Sequence, residues 1–211
     1  MKKYLTEGIG TFFLVLVVIL AANNGAGNLL PLALGATLAA LMYAGKHVSG
    51  AHYNPALTLA MLMRKKIDRT DALYYVVAQA AGSILASLFG VFLLNCSQRE
   101  SYFAHTNSNA MCALVAEFLG AFALSHVFLN VMAARETGGN SYFGLATGFG
   151  LAGATWAFGG ISGGLFNPAV AIGASIAGLY EAGDLWIYLI GSLLGAAAAA
   201  SVFQVVFGNQ E

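Results

Sequence analysis

The sequence predicts an all-α membrane protein in which six transmembrane helices and two re-entrant half-helices form an inverted repeat. Three observations carry this expectation. The 211 residues are 59% apolar and only 9% charged, with a mean hydropathy of +0.75. The apolar residues fall into six long runs and two short ones, and the short runs recur in corresponding places of the two halves. Too few polar side chains exist to wet a globule of this size, so lipid is the solvent for most of the chain.

The long runs are Tyr4 to Ala22, Leu29 to Ala44, Ala72 to Leu94, Ala110 to Ala134, Tyr142 to Phe158 and Leu185 to Phe207. At 1.5 Å per residue, about 20 residues cross about 30 Å of hydrocarbon. The first run does not read as a cleaved signal peptide, because similar runs recur to the C-terminus and no Ala-x-Ala site closes it. Glycine is abundant, and Gly191, Gly195 and the alanines Ala196 to Ala200 form a small-residue face suited to close helix contact.

Two apolar segments, Pro55 to Met63 and Pro168 to Ile176, are too short to span. A helix of about 10 residues covers about 15 Å, half the hydrocarbon, so two entering from opposite faces meet at the midplane. Irregular backbone at that depth survives only where it is buried in protein or lines a wet cavity.

Glu7, Gly10 and Thr11 are echoed by Glu117, Gly120 and Ala121, 110 residues later, and Asn54-Pro55-Ala56 by Asn167-Pro168-Ala169, 113 residues later. Each half carries three spans and one half-helix. An odd number of crossings inverts the second copy, so the chain reads as a single domain, 1–211, with repeats of about 1–95 and 110–211. With both termini cytoplasmic, Lys2, Lys3, Lys46, Arg64, Lys65, Lys66, Arg69 and Arg135 fall inside and only Arg99 outside, as the positive-inside rule asks. The acidic linker around Glu181 and Asp184 then lies outside.

Zero net charge leaves no nucleic-acid footprint. Cys96 and Cys112 read as packing residues, His126 as a satisfied histidine within the bundle, and Tyr74, Tyr75, Trp186 and Tyr188 as interfacial aromatics. No nucleophile with a base in reach is discernible, which argues against an intramembrane enzyme.

The segments from His47 through His52 to Asn54-Pro55-Ala56, and from Gly159 to Asn167-Pro168-Ala169, resemble the aquaporin or major intrinsic protein family, and the resemblance covers essentially the whole chain. It implies six tilted helices around a pore, two re-entrant half-helices, and homotetramers in which each subunit conducts a small neutral permeant across the lipid bilayer without a cofactor. The motif has its own physics. Proline suits the first helical position and asparagine is a preferred N-cap, which leaves the side-chain amide to donate to a permeant at the pore centre. Both half-helices aim the positive ends of their dipoles at the midplane, opposing cations there.

Glu7 and Glu117 are intramembrane carboxylates, for which function is the default reading; the resemblance points to holding the re-entrant loops rather than relaying protons. His47 and His52 are assigned to loop scaffolding, with a pH-sensitive gate as the alternative, since no third metal ligand is evident. In most members of the family an arginine follows the second Asn-Pro-Ala; here the position is Val170. Carried over from the family by spacing, the rest of the selectivity filter is Leu34, Thr155 and Gly164. That set implies a wider, uncharged filter, and water, ammonia, hydrogen peroxide, urea, glycerol-like polyols or neutral metalloids as cargo.

The competing classes are a secondary transporter, which needs a coupling-ion site at the midplane, and a non-conducting structural member, which needs an occluded filter. The short loops place the chain in a bacterial inner membrane.

Overall fold

The computed structural model describes residues 1–97 and 109–208. Eight α-helices follow in order: α1 (Lys2–Asn23), α2 (Leu30–Ser49), α3 (Pro55–Met63), α4 (Arg69–Cys96), α5 (Ala110–Met132), α6 (Phe143–Ser162), α7 (Pro168–Ile176) and α8 (Leu185–Phe207). The two short helices have the bounds the sequence predicts. Long helices α2 and α6 run further than expected, to Ser49 and Ser162, because the chain leaves the helix only where Gly50 (φ 85°) and Gly163 (φ 96°) adopt the left-handed C-terminal turn.

Five of the long helices are apolar enough over 18 residues to cross a membrane by composition alone. Helix α6, with 20 residues, matches them in length, but Gly144, Gly148, Gly150, Gly153, Thr147 and Thr155 dilute its hydropathy. It is placed by packing, not by apolarity.

Packing follows the repeat. Helix α1 lies along α4, α5 lies along α8, and α2 meets α6 across the axis relating the two halves. Small residues let the backbones touch. A Cβ on Gly82 would stand 2.2 Å from the carbonyl oxygen of Gly8, and one on Gly195 2.3 Å from that of Phe118. At the third seam Gly35 and Gly148 face each other, each Cβ falling 2.4 or 2.3 Å from the other's carbonyl oxygen. These are the close approaches that glycine allows and any side chain blocks. We expect Gly148→Val to part α2 from α6 and to lower stability by about 1 to 3 kcal/mol, the usual cost of overpacking. A thermal melt in detergent that matches the parent would contradict this.

One face carries Lys3, Asp71, Arg64 and Gly208 together. Lys3 pairs with Asp71, Tyr4 donates to the same carboxylate at 2.6 Å, and the Arg64 guanidinium donates to the Gly208 carbonyl at 2.9 Å. Both described ends of the chain therefore lie on one side of the bundle. Arg99, the one base assigned to the other side, falls outside the described residues. Cys96 and Cys112 are free and exposed at helix ends, so neither packs inside the bundle as expected.

Candidate functional site: a pore between two half-helices

Each re-entrant loop is tied to one buried carboxylate. Glu7 accepts from Ser49 Oγ (2.7 Å) and His52 N (2.9 Å) on Oε1, and from Tyr53 N (2.6 Å) and Gln79 Nε2 (2.9 Å) on Oε2. Glu117 repeats the arrangement on the other loop, accepting from Ser162 Oγ (2.7 Å), Leu165 N (3.0 Å) and Phe166 N (2.8 Å). Both glutamates are fully buried. The loops need such an anchor, because their backbone is not self-satisfied and Tyr53 (φ 51°) and Phe166 (φ 50°) sit in the left-handed region that side chains resist. A Cβ on Gly10 would stand 2.1 Å from the Tyr53 ring, and one on Gly120 2.0 Å from the Phe166 ring. The repeated pattern of glutamate and, three residues on, glycine thus binds a loop with its first member and seats that loop's aromatic over its second.

Two residues read from sequence as interfacial aromatics belong to this scaffold. The Tyr75 hydroxyl donates to Ser49 O at 2.6 Å and that of Tyr188 to Ser162 O at 2.9 Å, and both are buried; Tyr74 and Trp186 are exposed, as expected. Tyr75 and Tyr188 are 113 residues apart, the spacing of the Asn-Pro-Ala motifs, which is the signal that could have placed them. His52 is in the scaffold through its backbone, whereas His47 is exposed on the last turn of α2 and outside it. His126 also departs from expectation: it is half-buried, stacks on Phe122, and leaves Nδ1 without a partner.

The half-helices meet through their caps. Asn54 Oδ1 accepts from Ala56 N at 2.8 Å, and Asn167 Oδ1 from Ala169 N at 3.0 Å, with Pro55 and Pro168 at the first helical positions. The amides are not wholly free, as the sequence reading assumed. Asn54 Nδ2 donates to Phe166 O and Asn167 Nδ2 to Tyr53 O, both at 3.0 Å. Each asparagine so braces the opposite loop with one hydrogen and keeps a second for the pore. Helix α7 is further held to α4 by Ser83 and Ser87, which donate to Ala169 O (2.5 Å) and Gly173 O (2.8 Å). The corresponding residues on α8 are Ala196 and Ala200, so sequence symmetry gave no hint of these two bonds.

A narrow cavity of about 20 Å³ runs past the two asparagines, which line it together with His52, Leu34, Gly164, Leu165 and Val170. On the far side it meets a vestibule of about 390 Å³, to which Thr155, Trp156 and Tyr180 contribute. Leu34 and Leu165 line both, marking the junction. Of the four filter residues expected from the resemblance, Leu34, Gly164 and Val170 line the narrow cavity, while Thr155 lies in the vestibule and donates to Gly164 O at 3.2 Å. Leucine side chains make up much of the rest of the narrow wall. Leu14 and Leu124, and Leu38 and Leu151, line the wall as repeat-related pairs that the sequence reading did not single out. A space of this size holds about one water at a time.

Residues 1–203 match the family model of the major intrinsic proteins. The chain is 34% identical to the glycerol uptake facilitator protein-like 6 of Lactiplantibacillus plantarum over 98% of both chains, and 33% identical to nodulin-26 of Glycine max over 98% of this chain and 78% of that one. Its fold superposes on the aquaglyceroporin of Plasmodium falciparum with a TM-score of 0.84, at 20% identity, covering 97% of this chain and 96% of that one. With two capped half-helices meeting in a narrow pore, and with sequence likeness along nearly its whole length, this chain belongs to the major intrinsic protein family and is a passive transmembrane channel for water and small uncharged solutes.

Proposed function

We propose that the channel selects small neutral solutes that donate hydrogen bonds, such as water, ammonia, hydrogen peroxide and compact hydroxylated metalloids, ahead of longer polyols. The observation that carries this reading is the filter itself. Leu34, Leu165 and Val170 offer no polar group, no arginine supplies a donor or a charge, and the Gly164 carbonyl is an acceptor. An acceptor-only filter is met best by a solute with N–H or O–H groups of its own and little hydration to shed. The narrow cavity argues against ranking glycerol first, although two of the similar proteins carry glycerol in their names. Catalysis has no part in this reading. Coupled transport has none either, because Glu7 and Glu117 are spent on holding the loops.

The test is Val170→Arg in proteoliposomes, with ammonia uptake and water efflux followed by stopped flow. Arginine fills the cavity and adds a desolvated cation, so ammonia flux is expected to fall by about ten-fold or more, the equivalent of roughly 1.4 kcal/mol. Unchanged flux in the arginine variant would mean that the filter lies elsewhere.

The same reading makes the protein a homotetramer in a bacterial inner membrane, with both termini cytoplasmic. The basic residues of the face that carries both chain ends support the orientation. Support for assembly comes from glycine-rich α6, whose surface suits contact with another helix better than contact with lipid. Light scattering in mild detergent is expected to report four copies, and a monomer across several detergents would overturn this part.

A further inference from the structure

We infer that the groove between α1 and α4 holds an acyl chain of an anionic phospholipid, whose headgroup rests on the basic end of these two helices. The groove lies on the outside of the bundle and has no part in the pore. Its volume is about 700 Å³. Small residues form its floor: Gly8 and Gly82 stand where the two backbones approach most closely, with Ala78 beside them, and Ala81 opens the same face of α4. Leu5, Ile9, Phe13 and Leu85 flank this floor and are exposed. From Met1 to Phe13 the lining covers about 18 Å of helix, and one leaflet of hydrocarbon is about 15 Å thick. An apolar slot that begins at one membrane surface and stops near the midplane matches a single lipid tail in both chemistry and length.

The headgroup follows from charge. The end of the groove lined by Met1 and Tyr4 is the face that carries Lys2, Lys3 and Arg69, with Lys65 and Lys66 on the turn before α4. Asp68 and Asp71 are the acids there, and both are engaged. Asp68 caps α4 by accepting from Asp71 N at 2.8 Å, and Asp71 accepts from Lys3 and from the Tyr4 hydroxyl. Five bases against two such acids leave the rim positive, and bases beside a membrane-spanning helix attract anionic headgroups. The inverted repeat supplies the contrast. At the positions related to Gly8 and Ala81 by the repeat spacings of 110 and 113, the second half carries Phe118 and Leu194. Phe118 stands at the matching seam, where a Cβ on Gly195 would fall 2.3 Å from its carbonyl oxygen. The linker entering α8 at that end bears Glu181 and Asp184. Small floor residues and a basic rim thus occur together on one half, and bulky residues and an acidic linker on the other.

The experiment is photocrosslinking of the full chain in phosphatidylcholine vesicles that carry a small fraction of a probe lipid with a photoactivatable group in its acyl chain. The probe is either phosphatidylglycerol or phosphatidylcholine with the same chains, and labelled peptides are mapped by mass spectrometry. The phosphatidylglycerol probe is expected to label α1 between Leu5 and Phe13, and α4 between Ala78 and Leu85, about five-fold or more above the phosphatidylcholine probe, the weight of one base at a membrane surface. Lys2→Gln combined with Arg69→Gln is expected to remove that excess and leave the phosphatidylcholine signal unchanged. Ala81→Leu gives α4 the residue of the other half at an exposed position, and is expected to lower labelling by both probes at Leu5 and Ile9. Gly8→Phe is expected to do so more fully; its Cβ falls 3.3 Å from Ala78 O, so Ala81→Leu keeps the test decisive if the glycine variant parts the helices. Equal labelling by the two probes in the parent protein overturns the inference, since the groove is then ordinary lipid boundary. So does undiminished labelling of folded Ala81→Leu, or a groove that no lipid labels because a second copy of the chain covers it. None of these readouts involves flux, so they stand or fall apart from the filter.

Discussion

Glu7→Leu is expected to yield no conducting channel and little folded protein. The substitution removes the acceptor for four groups at once: the Ser49 hydroxyl, the His52 and Tyr53 amides and the Gln79 side chain. A buried donor left without a partner costs about 1 to 3 kcal/mol, so the sum is on the order of 4 to 12 kcal/mol if none is rescued by water. That rivals the whole stability of an ordinary domain, roughly 5 to 15 kcal/mol. The left-handed backbone at Tyr53 would lose the bond that holds it. Glu7→Gln separates charge from geometry, because it keeps one acceptor oxygen but turns an NH₂ toward two donors; it is expected to fold with reduced stability. Glu117→Leu should be the milder of the leucine variants, since three bonds to Glu117 are at stake instead of four. Size-exclusion profile and melting temperature in detergent read these outcomes, and a Glu7→Leu protein with parental stability and flux would contradict the anchoring role.

The second large effect is expected for Asn54→Leu combined with Asn167→Leu. Each asparagine caps its own half-helix and braces the opposite loop, so the double variant removes two caps and two cross-braces together. Losing an N-cap costs about 1 kcal/mol each. The Phe166 and Tyr53 carbonyls would then be left without their side-chain partner in a buried place. The permeant loses both midplane amide donors as well. We expect water flux to fall to the level of protein-free liposomes, and each single variant to retain part of it. Parental flux through a correctly assembled double variant would remove the asparagines from the pore.

Much of this was legible in the sequence, for physical reasons that can be named. Proline behind asparagine at the head of a short apolar run marks a helix start, and the repeated pairs placed two such starts face to face; the half-helices lie at Pro55–Met63 and Pro168–Ile176 as predicted. Glu7 and Glu117 were identifiable because a carboxylate in an apolar run requires a partner. The environment of Tyr75 was not, because an aromatic near a helix end looks the same whether it faces lipid headgroups or a loop carbonyl. The narrowness of the pore escaped too. Loss of an arginine is visible in one position, but the leucines that line the narrow cavity come from five helices and a loop and converge only in the fold. His52 was read as support because its sequence neighbours are loop residues, and that it also lines the narrow cavity shows only in the fold.

The central claim is that an uncharged pore with an acceptor-only filter passes neutral donors while the two half-helix N-termini keep cations out without help from an arginine. The measurement that bears on it most directly is paired permeability in one preparation of proteoliposomes: ammonia and water entry by stopped flow, with proton and potassium leak followed by an internal pH dye and an imposed potassium gradient. The account expects ammonia and water flux well above protein-free liposomes and cation leak indistinguishable from them. A proton or potassium leak that rises with protein content, or neutral flux at background, would contradict it.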